Sequence, residues 1–384
     1  MQKLRNSLFL VIALFSILSL TGCTNSNATE NLENFYYVMA IGIDTSPEEK
    51  ISLSVQVASN SEDTSSSSSS SQSNSSVIYT VPCNSIDSGI TTLNNYLSKK
   101  LNLSHCAAII FSEELSKTGI KEYINTFGSN TDIRPTCNII ISNTTSLEAL
   151  EKISNSSERF SSKFYEFIQT TAEYTGYSLV PELSEFLYCL NYGSNSAIAT
   201  YAYVSDKTIQ NTGIAIFDGN KLIGNLSVLD SIAYSLITNR LDSSVISIKN
   251  PNNPEQLIDI SVKQIKDPKE TCHLVNNYPF IEIDLTLEYG VLTSPIDINT
   301  AILAQNNLLE ETINSYVQKM ILNFLYEASH RYNVDICNFR NQISKKYLTS
   351  KEFEKIHWNE IYKESFFKVN INGRIKATGT FSKE

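Results

Sequence analysis

The first 24 residues constrain this chain more than any other stretch. Lys3 and Arg5 form a positively charged start, and a run of 13 apolar or hydroxylated residues follows from Leu8 to Leu20. A relaxed helix needs about 20 residues to cross the hydrocarbon core of a membrane, so this run is too short to span it. A charged start followed by a short apolar run is typical of an export signal.

A cysteine follows the apolar run in the sequence Leu20-Thr21-Gly22-Cys23. Small residues before a cysteine at this spacing indicate a bacterial lipobox, with cleavage before Cys23. A thiolate is the nucleophile best suited to forming a thioether with a lipid carrier. A diacylglyceryl group, with acyl chains such as palmitate, would anchor the protein stably, because two chains hold where one holds marginally. The alternative is an ordinary signal peptide with a chance cysteine.

The charge balance argues against several classes of partner. The chain has 384 residues, with 30 Lys and Arg against 40 Asp and Glu, and a formal net charge of −10. Loss of Lys3 and Arg5 with the signal peptide makes the protein more acidic still. Phosphates of nucleic acids and anionic lipid headgroups repel such a protein. We therefore expect no nucleic-acid partner, and membrane contact through the lipid rather than through a basic patch.

The hydrophobic pattern divides the chain into three regions of strands and helices behind a cleaved lipoprotein signal peptide, and it predicts that the first region is a mixed α/β layer domain. Its divisions follow changes of periodicity and breaker segments. They are a signal peptide (1–22), a lipidated tether (23–34), an N-terminal α/β domain (35–195), a middle β-hairpin and helix domain (196–252) and a C-terminal domain with a sheet and a long helix (253–384). The serine-rich insert at 59–76 has no apolar face to bury and is predicted to be disordered.

Individual elements are predicted in the same way. Residues from Ile86 recur at helical spacing, with Ser85 or Asp87 as N-cap. In the last region, Leu257–Val262 and Phe280–Leu287 alternate as strands, and Thr300 to about His330 forms a long helical pattern. The final run is predicted to be a strand that pairs with the sheet preceding the long helix.

The cysteines and histidines form no metal-binding motif. Six cysteines remain after Cys23, with no CxxC spacing, and four histidines have no HExxH or HxH spacing. Two Cys–His pairs are adjacent in sequence, and adjacent residues of a strand point to opposite faces. We therefore predict no metal site, and we interpret Cys106 and Cys137, which border apolar runs, as buried small hydrophobes. The sequence leaves open whether one or two disulfides form.

No catalytic motif stands out either. The sequence has no GxSxG elbow, no phosphate-binding GxxxxGK[ST] loop and no GxGxxG fingerprint. Asp44 follows an apolar strand and is a candidate catalytic carboxylate. We instead expect its side chain to hydrogen-bond to the turn formed by Thr45, Ser46 and Pro47. The chain is predicted not to be an enzyme, with no cofactor other than the lipid on Cys23.

Several short motifs occur in order along nearly the whole chain. They are Leu20-Thr21-Gly22-Cys23, the strand Met39–Asp44, LNLSH at Leu101–His105 followed by AAIIFSEEL at Ala107–Leu115, Asp132–Pro135, Gly213–Phe217 with KLIG at Lys221–Gly224, Asp335–Phe339, Trp358 and the closing FKVNINGRIKATG. In this order they resemble the Ger(x)C family, the lipoprotein C subunits of spore germinant receptors. The serine-rich insert departs from the compact family pattern.

The resemblance implies an α+β protein of three packed domains, each a β-sheet with flanking helices. It implies a non-enzymatic, lipid-anchored subunit on the outer face of the inner spore membrane. It also implies assembly with a permease-like subunit and a second membrane subunit, in a complex that starts germination in response to nutrients. Among functional residues, only the lipidated cysteine carries over, to Cys23. Two other classes are alternatives: a solute-binding lipoprotein that delivers a small nutrient to a transporter, and a cell-envelope hydrolase, which the missing motifs disfavour.

Overall fold

Two β-sheets, each covered by helices, make up the described part of the chain. The computed structural model describes residues 32–58, 76–155, 165, 174–192, 196–206, 208–251, 253–293 and 303–376. The strands are β1 (Phe35–Thr45), β2 (Ile51–Ala58), β3 (Ser76–Cys83), β4 (Lys100–Asn102), β5 (Ala108–Ser112), β6 (Asn138–Ser142), β7 (Ile198–Val204), β8 (Ile209–Asp218), β9 (Lys221–Leu226), β10 (Ser243–Lys249), β11 (Leu257–Val275), β12 (Tyr278–Thr293) and β13 (Phe366–Ile375).

The helices lie between these strands, and a short 3-10 helix (Leu32–Asn34) precedes β1. They are α1 (Ile86–Tyr96), α2 (Glu113–Thr118), α3 (Lys121–Ser129), α4 (Ser146–Ser154), α5 (Leu183–Tyr192), α6 (Val228–Ile237), α7 (Leu303–Tyr326), α8 (Arg340–Ser344), α9 (Ser350–Glu354) and α10 (Trp358–Tyr362), with a π-helical turn (Glu327–Arg331) after α7. Ser85 is the N-cap of α1, within a capping box that includes Ser88. The predicted α+β class is confirmed.

Some predictions lie outside the described residues. These are the signal peptide, the lipidated cysteine and residues 59–75 of the serine-rich insert. Ser76, the last residue of the predicted insert, is described and is the first residue of β3.

The first sheet has nine strands and a parallel centre. Its order is β3-β2-β1-β5-β6-β7-β8-β9, with β4 beside the start of β1. Strands β1, β5, β6 and β7 run parallel, and antiparallel hairpins continue the sheet on both sides. Parallel strands need crossover connections, and α2 to α4 lie in them.

Helices cover both faces of this sheet, so its central strands are apolar on both sides. On one face, branched and aromatic strand residues such as Ile41 and Phe111 join a cluster with Leu93, Ile124 and Phe186 from α1, α3 and α5. The other face contains small residues, and α4 packs there. Its cluster includes Ala40, Ala108, Ala202, Ala149 and Leu150.

The second sheet has four strands, in the order β10-β11-β12-β13, and one covered face. Side chains of α6 and α7, including Leu236, Ile313 and Phe324, pack with Ile260 and Ile283 of the strands. The opposite face contains polar pairs, among them the ion pair of Lys368 with Glu282 at 2.5 Å. A largely antiparallel sheet with one apolar and one wet face accounts for the alternation seen in the sequence.

Helix α7 covers the outer edge of β13 with its own side chains. The Asn314 amide oxygen accepts a hydrogen bond from Gly373 N at 3.1 Å, and its nitrogen donates to Gly373 O at 3.3 Å. Gln318 Nε2 donates to Val369 O at 2.6 Å, and Glu310 accepts from Ile375 N at 2.9 Å. An open strand edge is a template for unwanted pairing with another chain. These three side chains of α7 cover the edge of β13 and so close the sheet. The predicted pairing of the last strand is confirmed, since β13 runs parallel to β12.

The predicted middle domain of residues 196–252 does not form a sheet of its own. Its strands β7, β8 and β9 continue the first sheet, because β7 pairs in parallel with β6 through Ile141 and Tyr201. Its strand β10 instead pairs with β11 in the second sheet. The sheet therefore continues across the domain boundary that the sequence pattern indicated between residues 195 and 196.

The strands of the C-terminal hairpin are longer than predicted. β11 has 19 residues and β12 has 16, where the alternation indicated only short strands. Asn276 and Asn277 close the hairpin with φ of 52° and 69°, the left-handed backbone of a tight two-residue turn. Polar residues and irregular pairing between Gln264 and Lys269 interrupt the alternation along β11, which explains the shorter prediction.

Asn314→Ala should destabilise the protein. It removes the acceptor for Gly373 N and for the Tyr289 hydroxyl, which donates to Asn314 at 2.8 Å. An unsatisfied buried donor costs about 1–3 kcal/mol, so we expect a loss in that range in the free energy of unfolding measured in urea. Ser315→Ala, at the next and exposed position of α7, is the matched control and should change the free energy by less than about 0.5 kcal/mol. Equal stabilities for the two variants would contradict the edge-covering role.

Candidate functional sites

The residues predicted to carry the lipid lie outside the described residues. Leu20, Thr21, Gly22 and Cys23 precede residue 32, where the description begins. Cleavage and lipidation therefore stay predictions. Among the described helices, none combines the length and apolar character needed to cross a membrane.

Asp44 is bound to the start of a helix and not to the adjacent turn. Its Oδ1 accepts from Ser146 N at 2.6 Å, and its Oδ2 accepts from Ser146 Oγ at 2.8 Å and from Leu147 N at 3.1 Å. The predicted hydrogen bond to the turn is wrong, because the first N–H groups of α4 lack partners inside the helix and attract the carboxylate. Ser46 Oγ accepts the turn hydrogen bonds from Glu48 N and Glu49 N instead.

Asp44 is therefore a structural carboxylate. It is 6% exposed, and its oxygens are occupied by three donors. The close approach of α4 depends on Gly42, where a Cβ would lie 2.5 Å from Ser146 Oγ. The strand that ends in Asp44 was read correctly from the sequence, but the partner lies 102 residues further along the chain, and no local signal points to it.

The two side chains of the adjacent pair His105 and Cys106 lie in different environments. His105 is exposed and lies edge-on to Tyr37 at 5.0 Å, while Cys106 is buried with its sulfur 3.9 Å from that of Cys137. The interpretation of these two cysteines as buried small hydrophobes is confirmed, at 2% and 1% exposed. The neighbouring Cys106 thiol, together with burial, raises the pKa of Cys137, which keeps it protonated and unreactive.

Neither a disulfide nor a metal-ligand cluster is present among the described residues. The six cysteines between Cys83 and Cys337 are all thiols. Within the same residues, no group of three or more His, Cys, Asp or Glu side chains has the arrangement needed to hold a metal ion. His273 belongs to β11 and contacts Phe280, with ring centres 5.1 Å apart.

A pocket of about 240 Å³ lies where the two sheets meet. Its lining includes an ion pair between Arg240 and Glu185, with Arg240 Nη1 3.5 Å from Glu185 Oε2. The Tyr234 ring also lines it, and burial raises the pKa of that phenol, so its hydroxyl stays neutral. The two charges neutralise each other.

A buried carboxylate joins two of the motifs that carry the family resemblance. Asp335 accepts hydrogen bonds from Phe339 N at 3.0 Å, Arg340 N at 2.8 Å and Trp358 Nε1 at 3.1 Å. The segment Asp335–Phe339 and the single tryptophan, distant in sequence, therefore form one unit. Burial raises the pKa of Asp335 to about 6, and the three donors limit that rise.

Glu270 of β11 lies beside this unit. Burial raises the pKa of its carboxyl to about 7, the negative charge of Asp335 adds to the rise, and a 3.4 Å hydrogen bond from Gln342 opposes it. Two acidic groups that share a partly buried region disfavour each other's ionisation. Sequence reasoning did not single out either residue as an acidic pair, since they are brought together only by the packing of the short helices on β11.

The fold and these sites describe a multidomain α+β protein in which buried acids cap a helix and join separate segments, and the comparisons agree with one family. Residues 28–203 match the model of the spore germination protein N-terminal domain, and residues 212–379 match that of the spore germination B3/GerAC-like C-terminal domain. The chain belongs to this GerAC spore germination family.

A relative and a solved structure extend the likeness over most of the chain. Spore germination protein B3 of Bacillus subtilis (strain 168) is 20% identical over 387 residues, covering 97% of this chain and 98% of the relative. The crystal structure of the GerBC protein shares the fold with a TM-score of 0.57 at 14% identity, covering 87% of this chain and 96% of that one.

Asp44→Ala should reduce the stability of the folded protein. It leaves Ser146 N and Leu147 N without an acceptor, which costs about 1–3 kcal/mol in the free energy of unfolding. Asp44→Asn retains an acceptor oxygen and should recover part of the loss. Urea denaturation of the three proteins measures the difference. A fully stable alanine variant would contradict the capping role.

Glu270→Gln should change how stability depends on pH. The folded-state pKa of Glu270 is raised, so its contribution to stability is complete below the unfolded pKa near 4.5 and is lost as pH rises through about 7. The variant should therefore gain stability relative to the parent between pH 5 and pH 8, by about 1–3 kcal/mol. Urea midpoints across this range measure the effect. Glu354→Gln changes an exposed carboxylate and is the control, so its stability should equal that of the parent at every pH. A stability difference for Glu270→Gln that does not vary with pH would contradict the raised pKa of Glu270.

Proposed function

We propose that this protein is the lipid-anchored C subunit of a nutrient germinant receptor and is not an enzyme. The observation that carries the proposal is the order of features along the chain. The lipobox cysteine Cys23 stands a few residues before the start of the N-terminal family domain, and the C-terminal family domain follows. Family membership supports the role in spore germination.

The proposed location follows from the anchor and the family. Two acyl chains on Cys23 would hold the first residue of the mature protein in the inner spore membrane, with the folded body on its outer face. The partners would be a permease-like subunit and a second membrane subunit of the same receptor. In this arrangement the acidic body contributes contacts within the complex, and nutrient binding starts germination.

The arrangement of buried polar groups supports a non-catalytic body. Asp44 and Asp335 each accept three hydrogen bonds, which occupy the oxygens that would otherwise face a substrate. The charged pair in the 240 Å³ pocket is internally neutralised.

The alternative of a solute-binding lipoprotein is less well supported. Such proteins close two similar lobes around a ligand, whereas here a nine-stranded sheet with a parallel centre meets a four-stranded, largely antiparallel one. Calorimetry of the purified protein with amino acids and sugars separates the two functions, since tight binding by this subunit alone favours the solute-binding protein.

Cys23→Ala should release the protein from spore membranes and lower nutrient-triggered germination by at least about tenfold, because one residue carries both acyl chains. Cys189→Ala, a half-buried cysteine on α5, is the matched control and should leave both properties unchanged. The measurements are membrane fractionation and loss of optical density after nutrient addition. Purification from solubilised membranes also tests whether the parent protein retains its two membrane partners. Retention of the Cys23 variant in membranes with normal germination would refute the proposal.

A further inference from the structure

Aromatic and basic side chains gather at the end of the first sheet where β1 begins. We call this the aromatic surface and define it as Phe35, Tyr36, Tyr37, Tyr96, Lys99 and Lys100. Strand pairing brings its segments together, since Phe35 pairs with Lys100 where β4 runs parallel to β1. Helix α1 ends at Tyr96, shortly before the lysines.

Contacts within the surface hold the rings in place. The Lys99 ammonium lies 5.5 Å from the ring centre of Tyr36, and the Tyr36 hydroxyl is 3.1 Å from Ser98 Oγ. Tyr37 packs edge-on against His105 at 5.0 Å. Tyr36 is half-buried and borders the core between the sheet and its helices, so its ring is held from both sides.

This surface contains an exposed ring and is less acidic than the chain as a whole. Tyr96 is 56% exposed, although it is a large aromatic residue. The segments 33–37 and 96–105 contain two lysines and one carboxylate, that of Glu33, whereas the whole chain has a net charge of −10. An exposed aromatic ring beside a lysine is the combination found at membrane–water interfaces.

The chain that leads into this surface is short. Leu32 is nine residues after Cys23, and a fully extended chain spans at most about 3.6 Å per residue, so the described part starts within about 32 Å of the lipid. Strand β1 has 11 residues and is about 36 Å long at 3.3 Å per residue. The end where β1 begins is thus the end that the tether brings closest to the bilayer.

We propose that the aromatic surface rests on phospholipid headgroups, which orients the protein with the start of β1 toward the membrane. This inference rests on the proposed lipidation of Cys23. The tyrosine rings lie at the headgroup level, and Lys99 and Lys100 contact anionic headgroups. The surface thus adds a local basic contact to the lipid anchor, which the acidic composition of the whole chain did not predict.

Tryptophan fluorescence in vesicles tests the orientation. The lipidated full-length protein carries Tyr96→Trp or, as a matched control, Tyr203→Trp, which changes a tyrosine with 50% exposure. Strand pairing of β1 through β5 and β6 to β7 places Tyr203 at the opposite end of the same sheet. The natural Trp358 is 4% exposed and gives the same background in both proteins.

The vesicles contain phosphatidylcholine and phosphatidylglycerol, with nitroxide-labelled headgroups as quencher. We expect the emission of the Tyr96→Trp protein to shift to the blue and to be quenched at least twofold more than that of the Tyr203→Trp protein. Replacing both lysines, Lys99→Gln with Lys100→Gln, should reduce this quenching on anionic vesicles and change it little on phosphatidylcholine alone.

The outcomes separate this inference from the proposed function. Mass spectrometry of the lipid on Cys23 and co-sedimentation with vesicles report anchoring independently of orientation. Equal quenching of the two anchored tryptophan variants would overturn the inference and leave the anchor intact. A blue shift of the Tyr96→Trp protein without quenching by labelled lipid would also overturn it, because it would show burial against protein, such as a second copy. Failure of lipidation itself would refute both proposals.

Discussion

The hydrogen bonding of strand β1 is the constraint on which the first half of the molecule depends. β1 pairs with β2 on one side and with β4 and β5 on the other, so both edges of the strand are occupied. Because helices cover both faces, its side chains must alternate between large residues facing α1 and small residues facing α4. Gly42 and Asp44 complete this arrangement, the first by allowing α4 to approach and the second by binding its N-terminus.

Three buried or half-buried polar side chains join segments that are distant in sequence. Asp44 connects β1 to α4, Asn314 connects α7 to the edge of β13, and Asp335 connects a tight turn to Trp358. Each uses a side-chain oxygen to satisfy donors, mostly backbone N–H groups, that secondary structure leaves unpaired. These interactions hold segments together that secondary structure alone would leave apart.

The proposed anchor precedes β1, the strand that pairs with three others. β1 follows the tether after a single 3-10 turn, and its first residues belong to the aromatic surface. The two sheets share a core that includes residues of β8, α6 and α7.

Much of the fold was predictable from the sequence, because periodicity records which faces are buried. The alternation of β2, the helical spacing after Ser85, the long helix α7 and the pairing of the final strand with the preceding sheet were all read from local patterns and agree with the structure. The burial of Cys106 and Cys137 followed from their apolar neighbours. The lipobox is likewise a local signal, so the candidate anchor at Cys23 comes from sequence alone.

Tertiary structure decided how these elements combine. The continuation of the first sheet through β7, the partner of Asp44, and the meeting of Asp335 with Trp358 and Glu270 depend on contacts between segments far apart along the chain. A sequence pattern shows that a side chain is buried or that a helix end needs a cap, because those requirements are local. It does not show which distant group satisfies the requirement, because that choice is made by the packing of the whole chain.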